Sequence, residues 1–232
     1  MLTLIQYPPA FGASSASPFC VKVEILLKLA GLEYELEELS DPRKMPYAKL
    51  PVLRDGQKLV PDSVCIREYL EDNCGAKFDG ALSTENLAIS HAFTRLCEER
   101  LYWVILYSRW MDTSNWAVIR QHFFGDIPWP GNLIAPKIAH KQVRQALNGQ
   151  GIGRHTPKQI YNFGIQDLEA VSNYLGGKAF LMGAEVGTVD ATAFAFLSSI
   201  LLAPLPSPLK SAAEKMENLA EYCQRVQKHF SM

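Results

Sequence analysis

The chain has 232 residues, 48% of them hydrophobic and 20% charged, an ordinary globular composition with ample apolar material for a core. Its formal net charge is −1 and its basic residues read as scattered, with no run interleaved with aromatics, so neither nucleic acid nor a membrane surface is the expected partner. The 5 cysteines (Cys20, Cys65, Cys74, Cys97, Cys223) are widely spaced and form no C-x-x-C pair, which argues against a disulfide framework or a structural zinc site and for a reducing compartment. His91, His122, His140, His155 and His229 show no ligand spacing, so no metal is expected.

In chain order, Leu2 to Tyr7 reads as a strand, Pro18 to Ala30 as a helix and Tyr34 to Leu39 as a second strand. Met1 to Tyr7 has neither a basic n-region nor a cleavage site, so no signal peptide is expected. A polar connection, Ser40 to Lys49, leads to Val52-Leu53-Arg54, a hairpin turn signal at Asp55-Gly56, and a returning strand at Lys58-Leu59-Val60. Ser63 to Asn73 then reads as a helix with Val64, Ile66, Tyr69 and Leu70 on its apolar face. This β-α-β, hairpin, helix order builds a small mixed sheet covered by helices.

After Cys74 to Gly80 the strand signals almost vanish. A long helical pattern starts at Ser83-Thr84-Glu85, runs towards Trp110 and is broken at Asp126 to Asn132. Further helices are expected at about Leu133 to Leu147, Pro157 to Leu175, Val189 to Leu202 and Ala212 to His229. The apolar stretch Ala191 to Pro206 is too short to span a bilayer and reads as a buried core helix, and Gln224 to Met232 is polar. The expectation is a soluble, cytoplasmic protein with a thioredoxin-like α/β domain over 1–74, a linker over 75–83 and an all-helical domain over 84–232.

One helix start is chemically distinctive. Ser17 suits the N-cap, Pro18 the first helical position, and Gly31 the left-handed position after the last turn. A helix start carries unpaired N–H groups and the positive end of the dipole, so a thiolate placed there is stabilised.

With Ser17-Pro18-Phe19-Cys20-Val21-Lys22-Val23-Glu24, Leu50-Pro51-Val52-Leu53, Asp62-Ser63, Leu101-Tyr102-Trp103, Arg109-Trp110 and Asp190-Ala191-Thr192, the chain resembles the glutathione transferase superfamily, within it the metaxin-like and Faxc-like branch. The resemblance implies a thioredoxin-like N-terminal domain and an all-α C-terminal domain, and glutathione as co-substrate. It implies a cis bond at Pro51, with Leu50 pairing main chain to main chain with the cysteine of glutathione. Asp62 would face the γ-glutamyl ammonium, Ser63 and its helix start would hold the adjacent carboxylate, and Lys49 would meet the glycyl carboxylate. Phe19 belongs to the same glutathione-binding set.

Three residues compete as the reacting group. Ser17 is favoured, its hydroxyl donating to the glutathione thiolate. Cys20 corresponds to the second cysteine of the glutaredoxin-type C-P-F-C, one turn into the helix, and Tyr7 ends the first strand. Without a first cysteine, dithiol exchange is not expected. Tyr107 and Trp110 are candidates to line a pocket for a small hydrophobic electrophile.

Two departures matter. The connection before Pro51 is short, so the helix usual there is expected to be reduced, and Gly187 stands where the core helix ending its box at Asp190 usually has Ser or Thr. Two alternatives stay open: a non-catalytic protein-interaction module, since the branch includes assembly proteins, and a glutathione-dependent isomerase or dehalogenase on the same site. A homodimer is expected by the same resemblance.

Overall fold

A computed structural model describes residues 1–231; Met232, the last residue of the polar segment noted above, lies outside them. Strand β1 (Leu2–Gln6) is buried at every position because it lies inside the sheet, between β2 (Tyr34–Glu38) and β3 (Val52–Asp55), with β4 (Lys58–Pro61) at the far edge. β1 runs parallel to β2 and antiparallel to β3, and β3 and β4 form an antiparallel hairpin. Asp55 pairs with Lys58, so the turn is Gly56-Gln57, one residue later than Asp55-Gly56, with Gly56 at φ +56°. The β-α-β unit is completed by helix α1 (Pro18–Leu29), and α2 (Ser63–Cys74) follows β4.

α1 ends as the sequence predicts. Gly31 sits at φ +65° and donates to Lys28 O at 3.0 Å, while Leu32 donates to Leu27 O at 3.2 Å, the paired bonds of a Schellman cap. Its start differs: Ser17 has the extended N-cap backbone, but its hydroxyl makes no capping bond. Between β2 and β3 the usual helix is reduced to two 3-10 turns, Pro42–Lys44 and Pro46–Ala48.

The helical domain begins with α3 (Thr84–Leu96), one π turn over Cys97–Leu101, and α4 (Tyr102–Trp110), which form one rod. The rod stops at Trp110 and not near Asp126, because Asp112 accepts from Ser114 N at 3.1 Å and caps a separate α5 (Thr113–Phe124). Then come α6 (Gly131–Gln150), α7 (Pro157–Leu175), α8 (Thr188–Leu201), α9 (Pro208–Ala213) and α10 (Glu217–Phe230). The last two replace the single helix expected from Ala212. No helix among the described residues is long and apolar enough to cross a membrane.

α8 is the axis of the molecule, buried at each residue from Thr188 to Ile200, and it packs against α1 of the first domain as well as α3 and α10. Its buried serines are satisfied locally, Ser198 and Ser199 donating to Ala195 O and Phe196 O at 3.2 and 2.8 Å. At its start, Asp190 accepts from Gly187 N at 2.8 Å, Leu181 N at 2.9 Å and Tyr222 OH at 2.9 Å. Gly187 contributes no side chain, yet the cap is complete. Asp79, from the segment between α2 and α3, accepts from Thr188 N at 3.0 Å and from the Thr188 hydroxyl.

Candidate functional site

Sheet register assembles the site. Ile5 at the end of β1 lies beside Val52 at the start of β3, and Val52 lies beside Pro61 at the end of β4. The segments leaving these three points are the loop into α1, the Leu50-Pro51 bend and the Asp62-Ser63 start of α2. Motifs separated by 45 positions between Ser17 and Asp62 therefore emerge at one end of one sheet. Ile5, Cys20, Leu50 and Val52 form a small buried cluster that fixes the bend against the first turn of α1. The Leu50–Pro51 peptide is cis, as the resemblance implies, and Lys49 beside it is exposed.

The loop from Pro8 to Ala16 is tied back onto β1. Ser15 Oγ donates to Tyr7 O at 2.9 Å and accepts from Ser17 N at 3.4 Å, and Ala16 N donates to Pro8 O at 3.0 Å. Ser17 is thereby held half-buried at the head of α1, with its hydroxyl uncommitted to the helix. Sequence reading missed Ser15, since nothing in the pattern singled it out.

Burial favours the neutral forms of the other two reacting-group candidates, which leaves the Tyr7 hydroxyl a hydrogen-bond donor. Cys20 is fully buried in apolar surroundings, and burial raises its thiol to about 11, against a weaker lowering by the Tyr7 backbone and the Ser15 and Ser17 hydroxyls. Tyr7 is raised to about 12, first by burial and then by Cys20, Tyr102 and Asp41.

At α2 the roles of the two motif residues differ from expectation. Asp62, not Ser63, is the N-cap: it sits at φ 71° and its Oδ1 accepts from Val64 N at 2.8 Å. Ser63 is buried, and its Oγ accepts from Lys22 Nζ at 3.2 Å. Lys22 in turn donates to Glu98 Oε1 at 2.6 Å, and Glu98 is also bound by Arg95. Both members of the Lys22–Glu98 pair are 3% exposed, so this is a buried ion pair joining α1, α2 and the π turn across the domain interface. Burial pulls the Lys22 ammonium down, opposed by Glu98.

The face of the α3–α4 rod turned to α1 carries Tyr102 and Arg109, two helical turns apart. Phe19 packs edge-on against Tyr102 and Phe196, with centroids 5.1 and 5.3 Å apart. Arg109 donates to Ala16 O at 2.9 Å and Ser199 O at 3.0 Å and lies over the Phe11 ring at 5.5 Å. Its Nε is buried without a partner, and no carboxylate among the described residues pairs with it. Burial lowers its pKa to about 10, which leaves it cationic at neutral pH. A fixed positive charge is thus bonded to the peptide preceding Ser17. A spacing of seven from Tyr102 was the available signal.

Tyr107 lies on the other side of the rod against Tyr161 of α7, centroids 5.9 Å apart, and does not join Tyr102 and Arg109. Trp110 packs with Trp116 and Phe123 in a cluster that reaches Phe11, so it borders the loop before Ser17.

A thioredoxin-like sheet with three loop exits at one end and an aromatic helical rod packed against α1 is glutathione transferase architecture. The family model described as glutathione S-transferase N-terminal domain matches residues 18–115, and that described as glutathione S-transferase, C-terminal domain matches residues 164–226. The isoprene-epoxide–glutathione S-transferase of Rhodococcus sp. (strain AD45) is 32% identical over 239 residues, covering 100% of both chains. The chain belongs to the glutathione S-transferase superfamily, with relatives in its metaxin-like branch. Failed axon connections of Drosophila melanogaster is 31% identical over 91% of this chain and 54% of that protein, and metaxin-1 of Macaca fascicularis is 26% identical over 97% and 74%. Among solved structures, the beta-etherase LigF of Sphingobium sp. strain SYK-6 superposes with a TM-score of 0.67 at 19% identity, over 97% of this chain and 94% of that one.

Proposed function

We propose that this chain binds glutathione and activates its thiol at Ser17 for attack on a small apolar electrophile. The observation that carries the reading is the convergence of the α1 start, the Leu50–Pro51 bend and the α2 start at one end of the sheet, with the Arg109 charge behind Ser17. In this reading Leu50 offers its main chain to the cysteinyl residue. The free oxygen of Asp62 takes the γ-glutamyl ammonium, while the α2 start beside Ser63 receives the carboxylate. Phe19 contributes its backbone, and Lys49 takes the glycyl carboxylate. The Ser17 hydroxyl donates to the thiolate, and the thiol proton leaves to solvent.

The full-length similarity to an enzyme named for an isoprene epoxide supports an apolar epoxide as the electrophile class. Sulfur then forms the new C–S bond, a C–O bond of the ring breaks, and the resulting oxyanion takes a proton from water. The protein acts in the cytoplasm, as a homodimer.

Calorimetric titration of glutathione into the wild type and Asp62→Asn tests the site, because asparagine keeps the cap acceptor and removes only the charge. Micromolar-to-millimolar binding that weakens in the variant supports it. Loss of conjugation in Ser17→Ala with binding retained supports the assigned hydroxyl. No heat and no thermal stabilisation at several millimolar glutathione sinks the transferase reading. The metaxin-1 similarity favours the second reading, a protein-interaction module on the same fold, and that result would leave it standing.

A further inference from the structure

The family models stop at residue 115 and resume at residue 164, and the α5–α6 hairpin lies almost wholly in the interval they leave. Its charge is one-sided. Between Asp126 and Asp167 the chain contains no acidic residue, yet it carries Lys137, Lys141, Arg144, Arg154 and Lys158, and Arg120 precedes them on α5. Since the whole chain has a net charge of −1, the remainder carries the compensating acidic excess. Six of the 23 lysines and arginines thus fall between Arg120 and Lys158, with no acidic residue after Asp126 to offset them.

Arg120, Lys137, Lys141 and Arg144 surround a groove of about 680 Å³ floored by Trp116 and Pro136. None of the four makes an ion pair among the described residues. Beside the groove stands an apolar edge. Trp129, at the loop tip before α6, is 78% exposed, and Leu133, Ile134 and Ile138 are about half exposed. Trp129, Leu133, Ile134 and Ile138 fall within ten positions of one another, and neighbouring apolar exposure rimmed by charge marks an interaction surface.

We propose that the α5–α6 hairpin docks on an anionic bilayer surface, with Lys137, Lys141, Arg144 and Arg120 meeting lipid headgroups and Trp129, Ile134 and Ile138 entering the headgroup–acyl boundary. Charge complementarity selects this occupant: a second copy of the same face would set cation against cation. The exposed loop-tip tryptophan is an interface-seeking side chain, and lysine stems can lie along the apolar edge with their ammonium groups at headgroup level. The attraction is lateral and reversible, since no span is involved.

The test is co-sedimentation of the full chain with phosphatidylcholine vesicles, with and without phosphatidylglycerol. The expected result is binding to the anionic vesicles alone, released by high salt. It should fall about tenfold or more in Lys137→Glu/Lys141→Glu, and weaken in Trp129→Ser/Ile134→Ser with the salt dependence kept. Glutathione affinity and the melting curve report that the variants remain folded. If they do not fold, quenching of wild-type tryptophan fluorescence by brominated lipid, absent in Trp129→Phe, reads the same insertion. Failure to sediment with anionic vesicles overturns the proposal, as does undiminished binding by the charge-reversed protein. Association with soluble polyglutamate but not with vesicles also overturns it and gives the face to an acidic protein.

Discussion

Arg109 is an enclosed cation whose hydrogen-bond partners are two carbonyls, and burying such a group without a countercharge costs free energy. A nearby positive charge favours an ionised thiol, so Arg109→Gln should move the rising limb of the pH–rate profile for conjugation upward by about one to two units. Arg109→Lys, which keeps the charge, should leave the limb in place while lowering stability. A merely structural role would depress the rate at every pH without moving the limb. Asp62 separates two roles in the same way. Asp62→Ala loses the Val64 cap and about 1 kcal/mol of stability, whereas Asp62→Asn keeps the stability and loses glutathione affinity. An analogue lacking the γ-glutamyl ammonium should bind the wild type less well than glutathione and should not distinguish it from Asp62→Asn. That Asp62 and not Ser63 caps the helix was not legible in a dipeptide in which either residue can cap; the bond that Asp62 Oδ1 accepts from Val64 N decides it.

At the scale of elements, the strands, α1 and the Schellman stop at Gly31 were legible because periodicity and punctuation agree there. The break at Met111 was hidden: apolar and aromatic residues continue through Trp116 and Phe124, and only the Asp112 cap shows that a second helix has begun. The Lys22–Ser63–Glu98 connection was hidden for another reason. It joins three elements, and Lys22 and Glu98 each read alone as an ordinary surface group. Glu98→Ala should cost about 3–5 kcal/mol, because it strands a buried ammonium. The pH dependence follows from the lowered Lys22 pKa, whose first cause is burial. Between the folded pKa and the ordinary lysine value the unfolded chain binds more protons, so stability rises with pH through that window. The rise should steepen in Glu98→Ala, where the opposing carboxylate is gone. Urea unfolding followed from neutral to alkaline pH measures both effects.

At the scale of the whole molecule, the two domains are held by α1 against α8 and by a second device at the α8 start. Gly187 looks in the sequence like a half-made capping box, yet Asp79 reaches in from the other side and supplies the missing acceptor. Asp79 also takes Arg67 Nη2 of α2 at 3.3 Å, so one carboxylate ties the sheet domain, the connecting segment and the core helix. A Cβ on residue 187 would stand 3.0 Å from Asp79 Oδ1, which gives the glycine a physical reason: a serine there would crowd the side chain that replaces it. Asp79→Ala should therefore lower stability by about 1–2 kcal/mol, the worth of a helix cap, with a larger effect if Arg67 is left unsatisfied. Gly187→Ser alone should also destabilise, by crowding. The double variant Asp79→Ala/Gly187→Ser should be more stable than the sum of the two single losses, because serine can then cap α8 itself. Equilibrium denaturation of the four proteins closes the cycle. Additive losses would mean that the two positions do not share one cap.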